Sequence, residues 1–203
     1  MKKYAVLHEP GDIVTLAGTR FVVLDVERRG SLPDSLFLLA LESVGASEFG
    51  SSNNYAESDL KKAVDKWLED MGKRGLDNAK LIPREIDLTT LDGSGCYGKL
   101  SVKAAPLTLD EAREYADIIP NAERWCWLAT GWSGPSKSDG DLALYVNSGG
   151  GWYYDGCSNS GGIRPALKAP SVLFEDSEAG LDLSKIPTDD LLQEIHRRLA
   201  EKA

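Results

Sequence analysis

The sequence predicts an α+β fold: a single domain with a small antiparallel or mixed sheet, two packed helices and long late loops, followed by a C-terminal helix. Three observations lead there. Short runs rich in Val, Ile, Leu and Phe open the chain, two segments then carry helix start signals, and after Pro120 short strand-like runs return between stretches of Gly, Ser, Asp and Asn. The domain is expected over residues 3–172, an acidic linker over 173–187 and the last helix over 188–203.

Residues 12–17, 20–27 and 35–41 read as three strands separated by turn residues, Gly18 after the first and Gly30, Ser31, Pro33 and Asp34 after the second. An antiparallel meander follows. Ser58 is expected to cap a helix whose buried stripe is Leu60, Ala63, Val64, Trp67, Leu68 and Met71, with Gly72 ending it. A second helix opens at the capping box Thr108-Leu109-Asp110-Glu111, turns Ala112, Tyr115 and Ala116 inward, and stops near Pro120. Between the helices, residues 81–106 look loop-rich, with one strand near 99–104. Later strands are expected over 124–130, 142–147, 151–154 and 163–167, and Pro165 places the last of these at an edge or a bulge.

Beyond residue 175 the chain turns acidic and apolar residues thin out. Thr188 then caps a terminal helix. Asp189 and Asp190 sit at its positive end, and Arg197, Arg198 and Lys202 at the other. Its narrow stripe of Leu191, Leu192, Ile195 and Leu199 either docks on the domain or pairs with another chain.

Composition excludes several functions. The chain has 203 residues, 42% hydrophobic and 27% charged, with 23 Lys and Arg against 32 Asp and Glu and a net charge of −9. No basic stripe interrupts this acidity, so neither nucleic acid nor an anionic membrane is expected as partner. No apolar run reaches the roughly 18 residues of a membrane span, and the apolar stretch within residues 1–10 is too short for a signal peptide. The expected location is the cytoplasm, or a virion for a phage-encoded chain. Cys96, Cys126 and Cys157 match no zinc spacing and read as free buried or half-buried thiols. A catalytic thiol wants a neighbouring histidine, and His8 and His196 lie near opposite ends of the chain.

Two motifs resolve to ordinary turns. Gly93-Ser94-Gly95-Cys96-Tyr97-Gly98 spells the dinucleotide-binding pattern, but that site needs a helix after the glycines, and the next residues read as a strand. Asp139-Gly140-Asp141 offers two carboxylates, whereas calcium takes about six to eight oxygens, so a solvated turn is the simpler reading. No catalytic constellation emerges and no cofactor is implied.

Aromatic placement is what distinguishes the chain. Four of its five tryptophans, Trp125, Trp127, Trp132 and Trp152, fall close together, joined by Tyr145, Tyr153 and Tyr154. Alternation in Trp125-Cys126-Trp127 puts both rings on one face of a strand, directed to the core. Trp132, Trp152, Tyr153 and Tyr154 instead stand among glycines and serines. Rings held in loops suit a contact surface, so these four are the candidate ligand-binding residues. Arg164 reads as a structural residue bonding loop carbonyls.

The order of these pieces resembles the bacterial and phage family labelled as the domain of unknown function DUF6273. The likeness is carried by Tyr55-Ala56-Glu57-Ser58-Asp59-Leu60 with Trp67-Leu68, then Pro106-Leu107-Thr108-Leu109-Asp110-Glu111-Ala112, then Trp125-Cys126-Trp127-Leu128. It closes with Tyr145-Val146-Asn147 and Gly162-Ile163-Arg164-Pro165-Ala166-Leu167, and spans residues 11–169. Where many members continue Trp-Trp-Leu-Arg, this chain has Cys126 in the middle and Ala129-Thr130 after the leucine. The closing segment also resembles the end of C-type-lectin-type folds, including formylglycine-generating enzymes and the variable proteins of retroelement-diversified systems. The resemblance implies a scaffold that displays long loops between short late strands. It carries over neither sugar nor calcium binding, nor the copper chemistry of the formylglycine enzymes.

The expected function is therefore a non-enzymatic binding or display module, in a virion or at a surface, whose partner is a protein or glycan. The alternatives are an assembly protein that forms homo-oligomers through its C-terminal helix and an enzyme of unrecognised type.

Overall fold

Phe21-Val22-Val23-Leu24 is apolar at every position, and all four side chains are buried. Successive strand residues point to opposite faces, so such a run requires a sheet covered on both sides. The computed structural model, which describes residues 8–29, 32–174, 187–189 and 192–193, supplies one. Strands β1 (Ile13–Leu16), β2 (Thr19–Arg29) and β3 (Leu32–Ala40) form the expected antiparallel meander. Phe21 and Val23 face the larger core with Leu36 and Leu38, whereas Val22 and Leu24 face a second core with Leu39.

The larger core is closed by helix α1 (Asp59–Lys73), whose Leu60, Val64, Trp67 and Met71 are buried and whose N-cap Ser58 accepts a bond from the Lys61 amide. Gly72 lies inside this helix rather than ending it. The stop comes at Gly75, which has the left-handed φ of 101°; its amide bonds the Gly72 carbonyl and the Leu76 amide bonds that of Met71. That is a Schellman stop, and the glycine three residues later in the sequence is the one it needs.

The loop-rich segment holds more strand than expected. A two-stranded ribbon pairs β5 (Arg84–Asp87) with β6 (Lys99–Val102), and β7 (Ala104–Ala105) follows directly. Helix α2 (Leu109–Glu114) carries the capping box as expected but ends six residues before Pro120, and Ala116 is exposed rather than turned inward. Ala112 joins the second core, and Tyr115 packs edge-on against Phe37 at 5.6 Å. Arg84, nearly buried, donates to the Ala105 and Pro106 carbonyls and pairs with Glu111 of the capping box.

After Pro120 come β8 (Cys126–Gly131), β9 (Leu142–Val146), β10 (Trp152–Gly156), β11 (Ser160–Gly162) and β12 (Ala166–Pro170). β12 enters the first sheet, giving the order β1-β2-β3-β12-β7. The second sheet is mixed, in the order β10-β9-β8-β11-β4, where β4 is Ala46–Glu48 and β11 runs parallel to β8. The last strand starts after Pro165, not before it. Proline therefore withholds no ladder hydrogen bond, and β12 lies inside the sheet, not at its edge.

Residues 175–186 of the expected linker, and most of the expected terminal helix, lie outside the described residues. Thr188, Asp189, Leu192 and Gln193 are helical and exposed. Among the described residues the fold is α+β with two α-helices and three small sheets, and no helix is long and apolar enough to cross a membrane.

Candidate binding surface

The glycine tract is a hairpin turn built on one side chain. Oδ1 of Asn147 accepts the amides of Gly149 and Gly151, both at 2.9 Å, and the Asn147 backbone bonds Gly150 and Gly151. Gly150 sits at a φ of 85°, where a side chain would be strained. The turn returns the chain as β10, the outermost strand of the second sheet, with Trp152 opposite Val146, Tyr153 opposite Tyr145 and Tyr154 opposite Leu144.

Trp152, Tyr153 and Tyr154, rings held among glycines within an expected strand over 151–154, are consecutive residues of that strand, not loop residues. Their relative exposures are 44%, 53% and 51%. An edge strand explains this, because no neighbouring strand covers its rings. Alternation then divides them between two faces. Tyr153 stacks on Tyr145 at 5.9 Å, Tyr145 lies 4.8 Å from Trp125, and Trp125 meets Trp127 edge-on at 4.9 Å. This row of rings runs from solvent into the core, where Trp127 is buried and its indole N–H donates to the Ser47 carbonyl at 3.1 Å. Trp125 is only half-buried, at the boundary rather than in the core.

On the other face Tyr154 meets the half-buried Trp132, ring centres 4.2 Å apart. Trp152, two residues along, lies under the Arg113 guanidinium of α2 at 5.7 Å. The fold thus joins Trp132, Tyr154 and Trp152 along one face, with Tyr153 on the reverse.

A polar hub that the sequence does not advertise holds the loop between β8 and β9. Asn53 is buried; its Nδ2 donates to the carbonyls of Ser133 and Leu142 at 2.9 and 3.0 Å, and its Oδ1 accepts from the Tyr97 hydroxyl at 2.6 Å. The turn at residues 93–98 leads into β6, a strand, so no helix N-terminus stands there for a phosphate. Asp139 and Asp141 lie just before β9, and among the described residues no three His, Cys, Asp or Glu side chains gather as a metal-binding group.

The thiols are unpaired, Cys96 exposed and the other two buried. Burial pushes the Cys157 thiol up to about 12, aided by Asp141, and raises that of Cys126. Both stay protonated at neutral pH, so neither supplies a thiolate. What the surface offers is ring faces with Arg113 beside them, suited to stacking and cation–π contact. Beneath Trp152, between α2 with its following turn and strands β8 and β9, lies a cavity of about 280 Å³ lined mainly by apolar residues, with Arg164 in its wall.

Comparison with protein-family models, curated proteins and solved structures gives no match for this chain.

Proposed function

We propose that the chain is a non-enzymatic binding or display module whose contact surface is the aromatic face of the β9–β10 hairpin, with a protein or glycan as partner. One observation carries this reading: three consecutive large aromatic side chains stand about half exposed on an edge strand, anchored to the body by Tyr145, Trp132 and Arg113. Exposed rings carry a solubility risk, and rigid amphipathic rings contribute contact area at little conformational cost. The resemblance to scaffolds that display late loops supports the same reading.

Glycan and peptide arrays probed with the full chain test it. A specific binder should emerge, and Trp152→Ala or Tyr154→Ala should weaken it by about 2 kcal/mol, as truncation of a hot-spot ring does, without changing the thermal midpoint. A chain that binds nothing on either array, and loses mass in light scattering when residues 188–203 are deleted, is an assembly protein instead.

A further inference from the structure

Among the described residues two arginines, Arg164 and Arg84, are buried or nearly so, and they are treated differently. Arg84 has a carboxylate partner in Glu111 and donates to two carbonyls. Arg164, only 6% exposed, has none: Nε donates to the Ala40 carbonyl at 2.8 Å and Nη2 to that of Leu41 at 3.1 Å, and Nη1 donates to no described group. The carboxylate that bears on its charge is Glu42, but no ion pair joins them, and Oε2 of Glu42 is itself buried without a hydrogen-bond partner. Burial disfavours the charged form, and the Glu42 carboxylate only partly opposes that.

A buried cation without a counter-charge is costly in a closed core. This one is not in a closed core. Arg164 lines the cavity beneath Trp152, whose walls include Leu39, Leu107, Leu128 and Val146. At roughly 30 Å³ for each water-sized group, its 280 Å³ admits a molecule of medium length. A guanidinium presents paired donors that match a carboxylate, and aliphatic walls match a hydrocarbon tail.

We propose that this cavity is a binding site for a small carboxylate with an apolar tail, the carboxylate held by Arg164 and the tail packed against the leucines and Trp152. The site is distinct from the outer aromatic surface, of which it shares only Trp152. Free fatty acids and other short apolar acids have the required chemistry in common.

The test is calorimetric titration of the full chain with octanoate, 1-octanol and octylamine, which share a tail and differ in head group. Octanoate should bind about tenfold or more tighter than octanol, as a charge-assisted hydrogen bond allows, and octylamine should bind weakest. Ala116→Phe places a ring at an exposed position of the cavity wall and should abolish octanoate binding while the unliganded thermal midpoint holds. Arg164→Gln should erase the preference for octanoate over octanol; if that variant fails to fold, the head-group series on the unaltered chain and Ala116→Phe decide. Tyr154→Ala, outside the cavity, should leave octanoate binding unchanged while it weakens the array partner, which separates this site from the array result. Equal affinity for octanoate and octanol, no binding at about 1 mM, or octanoate binding that survives Ala116→Phe would overturn the proposal.

Discussion

In the first sheet β2 and β3 draw both buried faces from nearly uninterrupted apolar runs, whereas the second sheet includes two three-residue strands, Ala-Ser-Glu and Ser-Gly-Gly, that contain no such run. The first is held chiefly by area removed from water, with α1 on one face and the second core on the other. The second depends more on close fit and on side chains that reach backbone groups: Trp127 to Ser47, and Asn53 to Ser133 and Leu142. Hydrophobic burial tolerates small changes of register and volume, while a side chain bonded to a named carbonyl does not. The first sheet therefore makes a base, and the second makes a surface whose geometry is specified group by group.

The contrast predicts a gradient of mutational effects. Trp67→Ala should cost the most, about 3–5 kcal/mol, because it opens the apolar core beside Phe21, 6.3 Å away between ring centres; a loss under about 1 kcal/mol in a urea titration would deny the first sheet its hydrophobic basis. Gly161→Ala should follow at about 3 kcal/mol, the upper end for overpacking. Its new Cβ would lie 2.3 Å from the Trp125 ring and 2.6 Å from the Trp127 indole nitrogen. A neutral result would show that the second sheet shifts freely. Asn53→Ala should cost about 2 kcal/mol by leaving the buried Ser133 carbonyl unpaired, and hydrogen exchange should rise across residues 133–142 before it rises in β2.

His8 supplies a pH-dependent difference of smaller size. Burial holds its pKa below 6.5 despite Asp12, and its Nε2 is buried without a partner. The fold therefore favours the neutral ring, and the unfolded chain binds the extra proton. Stability from this group is present above about 6.5 and is lost as pH falls through that value towards the folded pKa. His8→Phe should lose less stability than the parent chain between pH 7 and pH 5, measured by urea midpoints; equal slopes would remove the claim. At the foot of the gradient, Tyr153→Ala should change stability by no more than about 0.5 kcal/mol, because its ring is about half exposed.

The same contrast explains what was legible in the sequence. The meander, α1 and the capping box of α2 announce themselves through periodicity and local caps, and their expected boundaries lie within about three residues of those observed. β4 and β11 do not, because their pairing is set by contacts from afar: Gly161 and Gly162 admit the Trp125 ring and the Cys126 sulfur at distances no Cβ would allow. The aromatic candidates were visible by composition. The strand that carries three of them was expected over 151–154, but its place at the edge of a sheet was not, since that is set by pairing with β9 rather than by a local pattern. The cavity was hidden for a different reason: its walls come from well-separated segments, and its one sequence signal is an arginine set inside Ile-Arg-Pro-Ala-Leu.

The place of β12 has a consequence for how the molecule is made. Residues 166–170 lie between β3 and β7, against partners at positions 35–39 and 104–105. During synthesis the meander emerges early, yet one whole edge of β3 has no strand to bond until well over a hundred further residues have followed. Pairings of such long sequence separation close slowly, on the order of milliseconds to seconds. An apolar strand left open for that interval is the segment most exposed to wrong partners on the ribosome. Chains cut short before residue 166 should therefore aggregate through β3, while those that reach residue 174 retain the strand that closes it.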